Sequence, residues 1–180
     1  GSCDNEAYNA TIHPFVRNTV GSMDFGGSAL NKYYNGKNEP RGSKRRTSDV
    51  FALATAIMFQ SPVQHFALAP NNLTDAPAWA IDFMKEVPTL WDEVRYIDGY
   101  PGKYVVLARR HGEKWYVAAV NAGKETLKLN ADLSFLGEKV VSWYADDKNL
   151  QPQMQEKKLK AGKPTQLVIA PQGGIVLVTE

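Results

Sequence analysis

The spacing of apolar positions along this chain changes once, near residue 90, from runs that alternate between strand-like and helix-like to a steady period of two. Residues 11–23, rich in β-branched and apolar side chains and bounded by Gly and Asp, predict a strand. A polar loop over about 31–46 follows, and the motif "TSD" then opens a helix: Thr47 or Ser48 can cap free backbone N–H groups, and Asp49 complements the helix dipole. Val50, Phe51, Leu53, Ala54, Ile57 and Met58 recur at helical spacing until Pro62 stops the run. "PVQHFAL" predicts a second strand. A second helix is expected over 75–87, with Pro77 in its first turn, Trp79, Ala80, Phe83, Met84 and Val87 on one face, and Pro88 closing it.

After Trp91 seven strand-like runs appear: "EVRYID", "KYVVLARR", "KWYVAAVN", "ETLKLN", "KVVSWYA", "TQLVIA" and "GIVLVTE". Turn signals "GYPG", "HGE", "NAGK", "DDKN" and "PQGG" separate most of them. In "KWYVAAV" the alternation puts Trp115, Val117 and Ala119 on one face and Tyr116, Ala118 and Val120 on the other. Short strands at this spacing predict an antiparallel sandwich over 91–180, behind a βαβα piece over 1–90. Two β/α units cannot cover both faces of a parallel sheet, so the first half reads as part of a larger layer. Its apolar faces, Val50/Leu53/Ile57 and Phe83/Val87, are therefore expected to be exposed and to offer a route to homo-oligomers.

Composition narrows the function classes. The chain has 180 residues, is 43% hydrophobic and 22% charged, and carries a formal charge of +2, too small and too dispersed for nucleic-acid binding. The basic run Lys44-Arg45-Arg46 reads as a solvated loop. No apolar stretch is long enough for a membrane span. The opening "GSCDNE" has no leader character, and Gly1-Ser2 reads as a cloning scar with the natural start missing. One cysteine, Cys3, excludes an intrachain disulfide, and three histidines make a Cys/His zinc site improbable.

The chain has no phosphate-binding glycine loop, GxSxG elbow, HExxH or paired CxxC. Asp24, in "GSMDFGG", closes the first predicted strand, where β/α folds place working residues; Asp before glycine equally shapes turns. His65 ends the next predicted strand in the same way, and either a site role or a place at a core edge fits it. Arg17 and Asn18 alternate with apolar neighbours, so one could point inward and need a polar partner. Trp115, Tyr116, Trp143 and Tyr144 invite a carbohydrate-stacking role, but they occur as adjacent pairs. One of each pair is then expected in the core and the other outside.

"PFVRNTVGSMDF", "ALATAIMFQSPVQHFALAPNNL", "AIDFMKEVPTLWDEVRYIDGYPGKYVVLARR" and "GEKWYVAAVN" together resemble the carboxyl-terminal part of glycoside hydrolase family 97, over essentially residues 8–180. The resemblance implies a mixed fold: the last two β/α units of a (β/α)8 barrel over 1–90, then an all-β antiparallel sandwich of oligomerisation type over 91–180. Residues 11–23 would be the seventh barrel strand, 48–59 its helix, 62–67 the eighth strand and 76–87 the last helix. It implies an α-glucosidase or α-galactosidase acting on α-linked oligosaccharides in the periplasm or outside the cell. The catalytic carboxyl groups would lie upstream, so this chain alone would be inactive. Substrate binding would fall to Asp24, His65, Arg17 and Gln64. The calcium of the full-length family would be held upstream as well, with none expected on this chain. Gly21-Ser22-Met23-Asp24-Phe25-Gly26 departs from the family's Gly-Pro-Met-Asp-Tyr-Thr, and the loop over 27–46 is longer and more polar, which opens the identity of the sugar. The alternative is a non-catalytic carbohydrate-binding or assembly module built on the sandwich.

Overall fold

A computed structural model of the chain describes residues 5–17, 20–23, 30, 40, 44–68 and 70–180. Helices α1 (Glu6–Val16), α2 (Asp49–Met58), α3 (Asn72–Asp75) and α4 (Ala78–Glu86) precede eight strands. These are β1 (Glu93–Tyr100), β2 (Tyr104–His111), β3 (Lys114–Asn121), β4 (Leu127–Ala131), β5 (Val140–Asp146), β6 (Pro152–Lys158), β7 (Thr165–Ile169) and β8 (Gly174–Thr179). Six of them form one sheet in the order β1-β2-β3-β8-β5-β6, and β4 pairs with β7 in a second sheet. The described ladders are antiparallel.

The large sheet is covered on both sides. One face carries Val105, Leu107, Tyr116, Ala118, Val120 and Val176 into a core shared with the helices. The other carries Val106, Ala108, Trp115, Val117, Ala119, Val141, Trp143 and Leu177 against Leu167 and Ile169 of the small sheet. The split of β3 into a Trp115/Val117/Ala119 face and a Tyr116/Ala118/Val120 face follows the alternation in the sequence. What the alternation did not reveal is that both faces are inside. Tyr116 is only 5% exposed and Tyr144 packs on the helical layer, so the expected core-and-surface division of each aromatic pair does not hold.

Helix α2 sits where the layers meet. Val50 through Met58 are all buried, because α2 lies on β8, β3 and β5 and is flanked by α1 and α4. A helix apolar on every side is stable only when enclosed on every side. The expected exposed faces are therefore corrected: Val50, Leu53 and Ile57 are 0% exposed, Phe83 5% and Val87 8%, because the chain's own sheet covers them.

Both ends of α2 are tied down. At its start the Ser48 hydroxyl accepts from the Phe51 amide at 3.0 Å and donates to Asp146 at the end of β5. A second bond to that carboxylate comes from the Gly174 amide, at 2.9 Å, at the start of β8. Asp146 thus joins α2, β5 and β8 in one node. Arg45, expected in a solvated loop, is 7% exposed; it donates to Thr47 O at 3.0 Å and pairs with Asp49 in the first turn.

Two further corrections concern element type. Residues 6–16 form α1, with Pro14 inside it, so the first part of the strand expected over 11–23 is helix. Ala7, Ala10 and Thr11 recur at helical spacing and are buried, and that docking face outweighs the β-branched residues and the proline. Tyr8 lies over Gly102, and Phe15 meets Tyr96 edge-on at 5.5 Å, so α1 lies across the β1–β2 hairpin. That hairpin turns at Pro101-Gly102, with Gly102 at φ +82°, the position where a type II turn requires glycine. Strand β6, "PQMQEKK", was not expected: as the sheet's edge it is polar and exposed on nearly every residue, which erases the period-two signal.

Candidate functional site

One of the candidates read from the sequence, Gln64, sits at the carboxyl end of α2. A helix leaves its last carbonyls without intrahelical donors and concentrates partial negative charge there. Three groups from distant parts of the chain answer that need. Gln64 Nε2 donates to Ala56 O at 2.7 Å. Arg109, from β2, donates through Nη2 to Met58 O at 3.3 Å. The Met23 amide donates to Gln60 O at 2.8 Å, which brings residues 20–23 alongside the exit of α2. Ser61, 2% exposed, turns the backbone there by donating to Val63 O at 2.5 Å.

Gln64 is the predicted site residue that the structure seats in this cluster, half-buried, with Oε1 buried and unbonded among the described residues. His65 is exposed. Arg17 is exposed at the end of α1, its own amide bonded to His13 O at 2.9 Å. Asp24 lies outside the described residues, as does most of the loop over 27–46; its neighbour Met23 is the residue tied to Gln60.

Arg109 escaped the sequence reading. It is 4% exposed, and burial brings its guanidinium pKa down to about 10, still charged at neutral pH. Its Nε is buried without an acceptor among the described residues. A signal for it existed: Arg109 is in phase with Val105 and Leu107, on the face of β2 that points into the helical core. An arginine at an inward position calls for a partner, and the end of α2 supplies one.

The cluster offers amides, carbonyls and one cation, which bind and orient and do not break bonds. Among the described residues no group of three or more His, Cys, Asp or Glu side chains could hold a metal ion. No helix among the described residues is long and apolar enough to cross a membrane.

The difference between Gln64 and His65 is testable. Gln64→Ala removes the donor that reaches the Ala56 carbonyl, and is expected to cost about 1–2 kcal/mol. His65→Ala, at an exposed position, is expected to stay within about 0.5 kcal/mol of the parent. Urea unfolding of both variants gives the comparison; equal midpoints would contradict this placement of Gln64.

Comparison with known proteins adds to this geometry. The family described as "Glycosyl-hydrolase 97 C-terminal, oligomerisation" matches residues 90–180. A retaining alpha-galactosidase of Bacteroides thetaiotaomicron is 31% identical over 188 residues, covering 98% of this chain and 28% of its own length. The crystal structure of a beta-arabinopyranosidase superposes with a TM-score of 0.94 at 59% identity, covering 98% of this chain and 28% of that one. A glycoside hydrolase family 97 enzyme from Pseudoalteromonas sp. strain K8, in complex with acarbose, superposes with a TM-score of 0.80 at 25% identity, over 97% of this chain and 28% of its own. This chain thus spans 28% of the length of each of these three proteins.

Proposed function

The chain belongs to glycoside hydrolase family 97, as the C-terminal part of a glycoside hydrolase, and from that premise we propose that the whole enzyme removes terminal galacto-configured sugars with retention. The observation that carries this reading is the likeness over nearly the whole chain to a beta-arabinopyranosidase at 59% identity, together with that to a retaining alpha-galactosidase. The two names describe related chemistry. L-Arabinopyranose is galactose without its hydroxymethyl arm, and its β-anomer has the ring stereochemistry of α-galactose. One pocket shaped for the shared ring would serve both.

Retention requires two carboxyl groups about 5–5.5 Å apart: one attacks the anomeric carbon, and the other protonates the leaving oxygen and then activates water. On this reading neither is in the present chain. Residues 1–90 would end the catalytic barrel, with 20–23 beside the exit of α2 in place of the regular strands expected over 11–23 and 62–67, and 91–180 would form the closing sandwich. Asp24, Arg17, Gln64 and His65 then stand at the barrel rim, where they would contact or orient the sugar and leave proton transfer to upstream carboxylates. The same reading puts the enzyme in the periplasm or outside the cell, with its calcium held by upstream residues.

Nitrophenyl glycosides test this directly. The 180-residue chain is expected to hydrolyse none of them. The full-length enzyme is expected to favour β-L-arabinopyranoside or α-galactoside over α-glucoside. Turnover by the chain alone would remove the claim that its carboxylates are not the catalytic pair, and a preference for α-glucoside would remove the galacto-configured assignment.

A further inference from the structure

A hollow of about 250 Å³ opens between α4 and the helix-side face of the large sheet. Helix α4 presents Trp79, Asp82, Phe83 and Glu86 toward it, at the i, i+3, i+4, i+7 spacing of a single helical face. Trp79 and Phe83 dock on Tyr144, with ring centres 5.2 and 5.7 Å away, and Phe83 reaches Tyr116 at 6.4 Å. The two carboxylates of α4 are exposed and overhang the aromatic floor. Opposite them stand Lys114 at the start of β3, Ser142 of β5 and Glu180 beyond β8. A wider, more open hollow of about 710 Å³ continues past His111 and Leu90 and shares Glu86, Val87, Lys114 and Tyr116 with the first.

We propose that this groove is a binding site for one neutral sugar ring. The partly exposed rings of Trp79 and Tyr144, backed by the buried Phe83 and Tyr116, suit the C–H faces of a pyranose, and closely set carboxylate, ammonium and hydroxyl groups suit its hydroxyls. The charges select against anionic ligands. Asp82, Glu86 and Glu180 against the ammonium of Lys114 repel a phosphate or an acidic peptide. A neutral polyol meets no such penalty. The size points the same way, since about 250 Å³ lies below the roughly 300–1,000 Å³ typical of drug-sized ligands. Burial raises the pKa of Tyr116 and Tyr144, with Glu86 adding to both, so their hydroxyls stay protonated near neutral pH. Trp115 and Trp143, the more obvious stacking candidates, lie in the opposite core and take no part.

The choice of a pyranose among neutral polyols rests on the glycosidase reading, while the groove and its charges do not. The 180-residue chain is titrated with methyl α-D-galactopyranoside and methyl β-L-arabinopyranoside, followed by tryptophan fluorescence and saturation-transfer NMR. Saturable binding in the millimolar range is expected, with the fluorescence change lost in Trp79→Phe. Asp82→Asn with Glu86→Gln, both at exposed positions that leave the fold intact, should weaken binding about tenfold. Lys157→Ala, on the opposite face over Trp143, should leave it unchanged. Three outcomes overturn the proposal: no saturable response to either glycoside, a response indifferent to the Asp82/Glu86 variants, or binding of Nα-acetyl-lysine methylamide in place of the sugars. Because the catalytic carboxylates play no part in this titration, a negative result leaves the hydrolase reading standing, and failure of hydrolysis by the full-length enzyme leaves the groove standing.

Discussion

Gly174→Val is expected to unfold most of the chain's tertiary structure at room temperature, and Gly174→Ala to cost about 3 kcal/mol. A Cβ at Gly174 would stand 2.8 Å from both the N and Cα of Phe51 and 3.0 Å from the Val50 carbonyl carbon. These are backbone atoms at the start of α2, so no rotamer change relieves the contact. α2 must lift from the sheet or β8 must slide. Either movement breaks the node in which the Gly174 amide and the Ser48 hydroxyl share one carboxylate. Either also opens a core in which Val50, Phe51, Leu53 and Ile57 have no exposure. A domain of ordinary size has only about 5–15 kcal/mol in hand, so the valine variant should exhaust much of it. Gly21→Ala supplies the control, because its Cβ would meet nothing within 4 Å. Urea unfolding followed by near-UV circular dichroism reads all three. If Gly174→Ala unfolded at the parent's midpoint, α2 would not be clamped to β8 in the way described.

The same contact shows where sequence reading stops. The cap "TSD" and the apolar run after it located α2 to within a residue or two, because capping and propensity are local. The two-residue alternation located seven of the eight strands for the same reason. That Gly174 is the point where a helix backbone touches the sheet is a non-local fact, and a glycine in "PQGG" reads only as a turn. Burial on both faces of β3 had the same character, since alternation assigns faces without saying what covers them. Residues 6–16 show the opposite failure: local β-branched signals were present and tertiary docking overrode them. In the site, Gln64 was named from the sequence, whereas Arg109 was legible only as an inward-phased charge, and its acceptor comes from 51 positions away.

Asp146→Asn is expected to stabilise the protein at neutral pH, the reverse of the usual effect of removing a bonded buried carboxylate. Burial pushes the Asp146 pKa up from 3.8 to about 6, against the pull of the Ser48 hydroxyl and the Gly174 and Val50 amides, and the Asp49 carboxylate adds to the rise. Asp49 is itself paired with Arg45, which limits its share. The native state therefore binds this proton more tightly than the unfolded chain does. The favourable contribution is complete below about pH 4, is lost as pH rises, and is gone above about pH 6. At about 1.4 kcal/mol per pKa unit, the ionised carboxylate costs roughly 3 kcal/mol at pH 7 relative to its protonated form. An asparagine carbonyl can still accept from Ser48 and Gly174 and carries no charge to desolvate, while its amide would take the buried Oδ1 position, which has no hydrogen-bond partner among the described residues. The variant should match the parent near pH 4 and exceed it by about 1–3 kcal/mol at pH 7, the lower figure allowing for weaker neutral hydrogen bonds. Asp146→Ala, which leaves the Ser48 and Gly174 donors without an acceptor, should lie about 1–3 kcal/mol below Asp146→Asn at every pH in the range. Urea midpoints collected from about pH 4 to about pH 7.5 decide between these. An advantage of asparagine over aspartate that shrinks as pH rises would mean that the carboxylate is held charged by its partners, and that the node is an ion site and not a buried proton site.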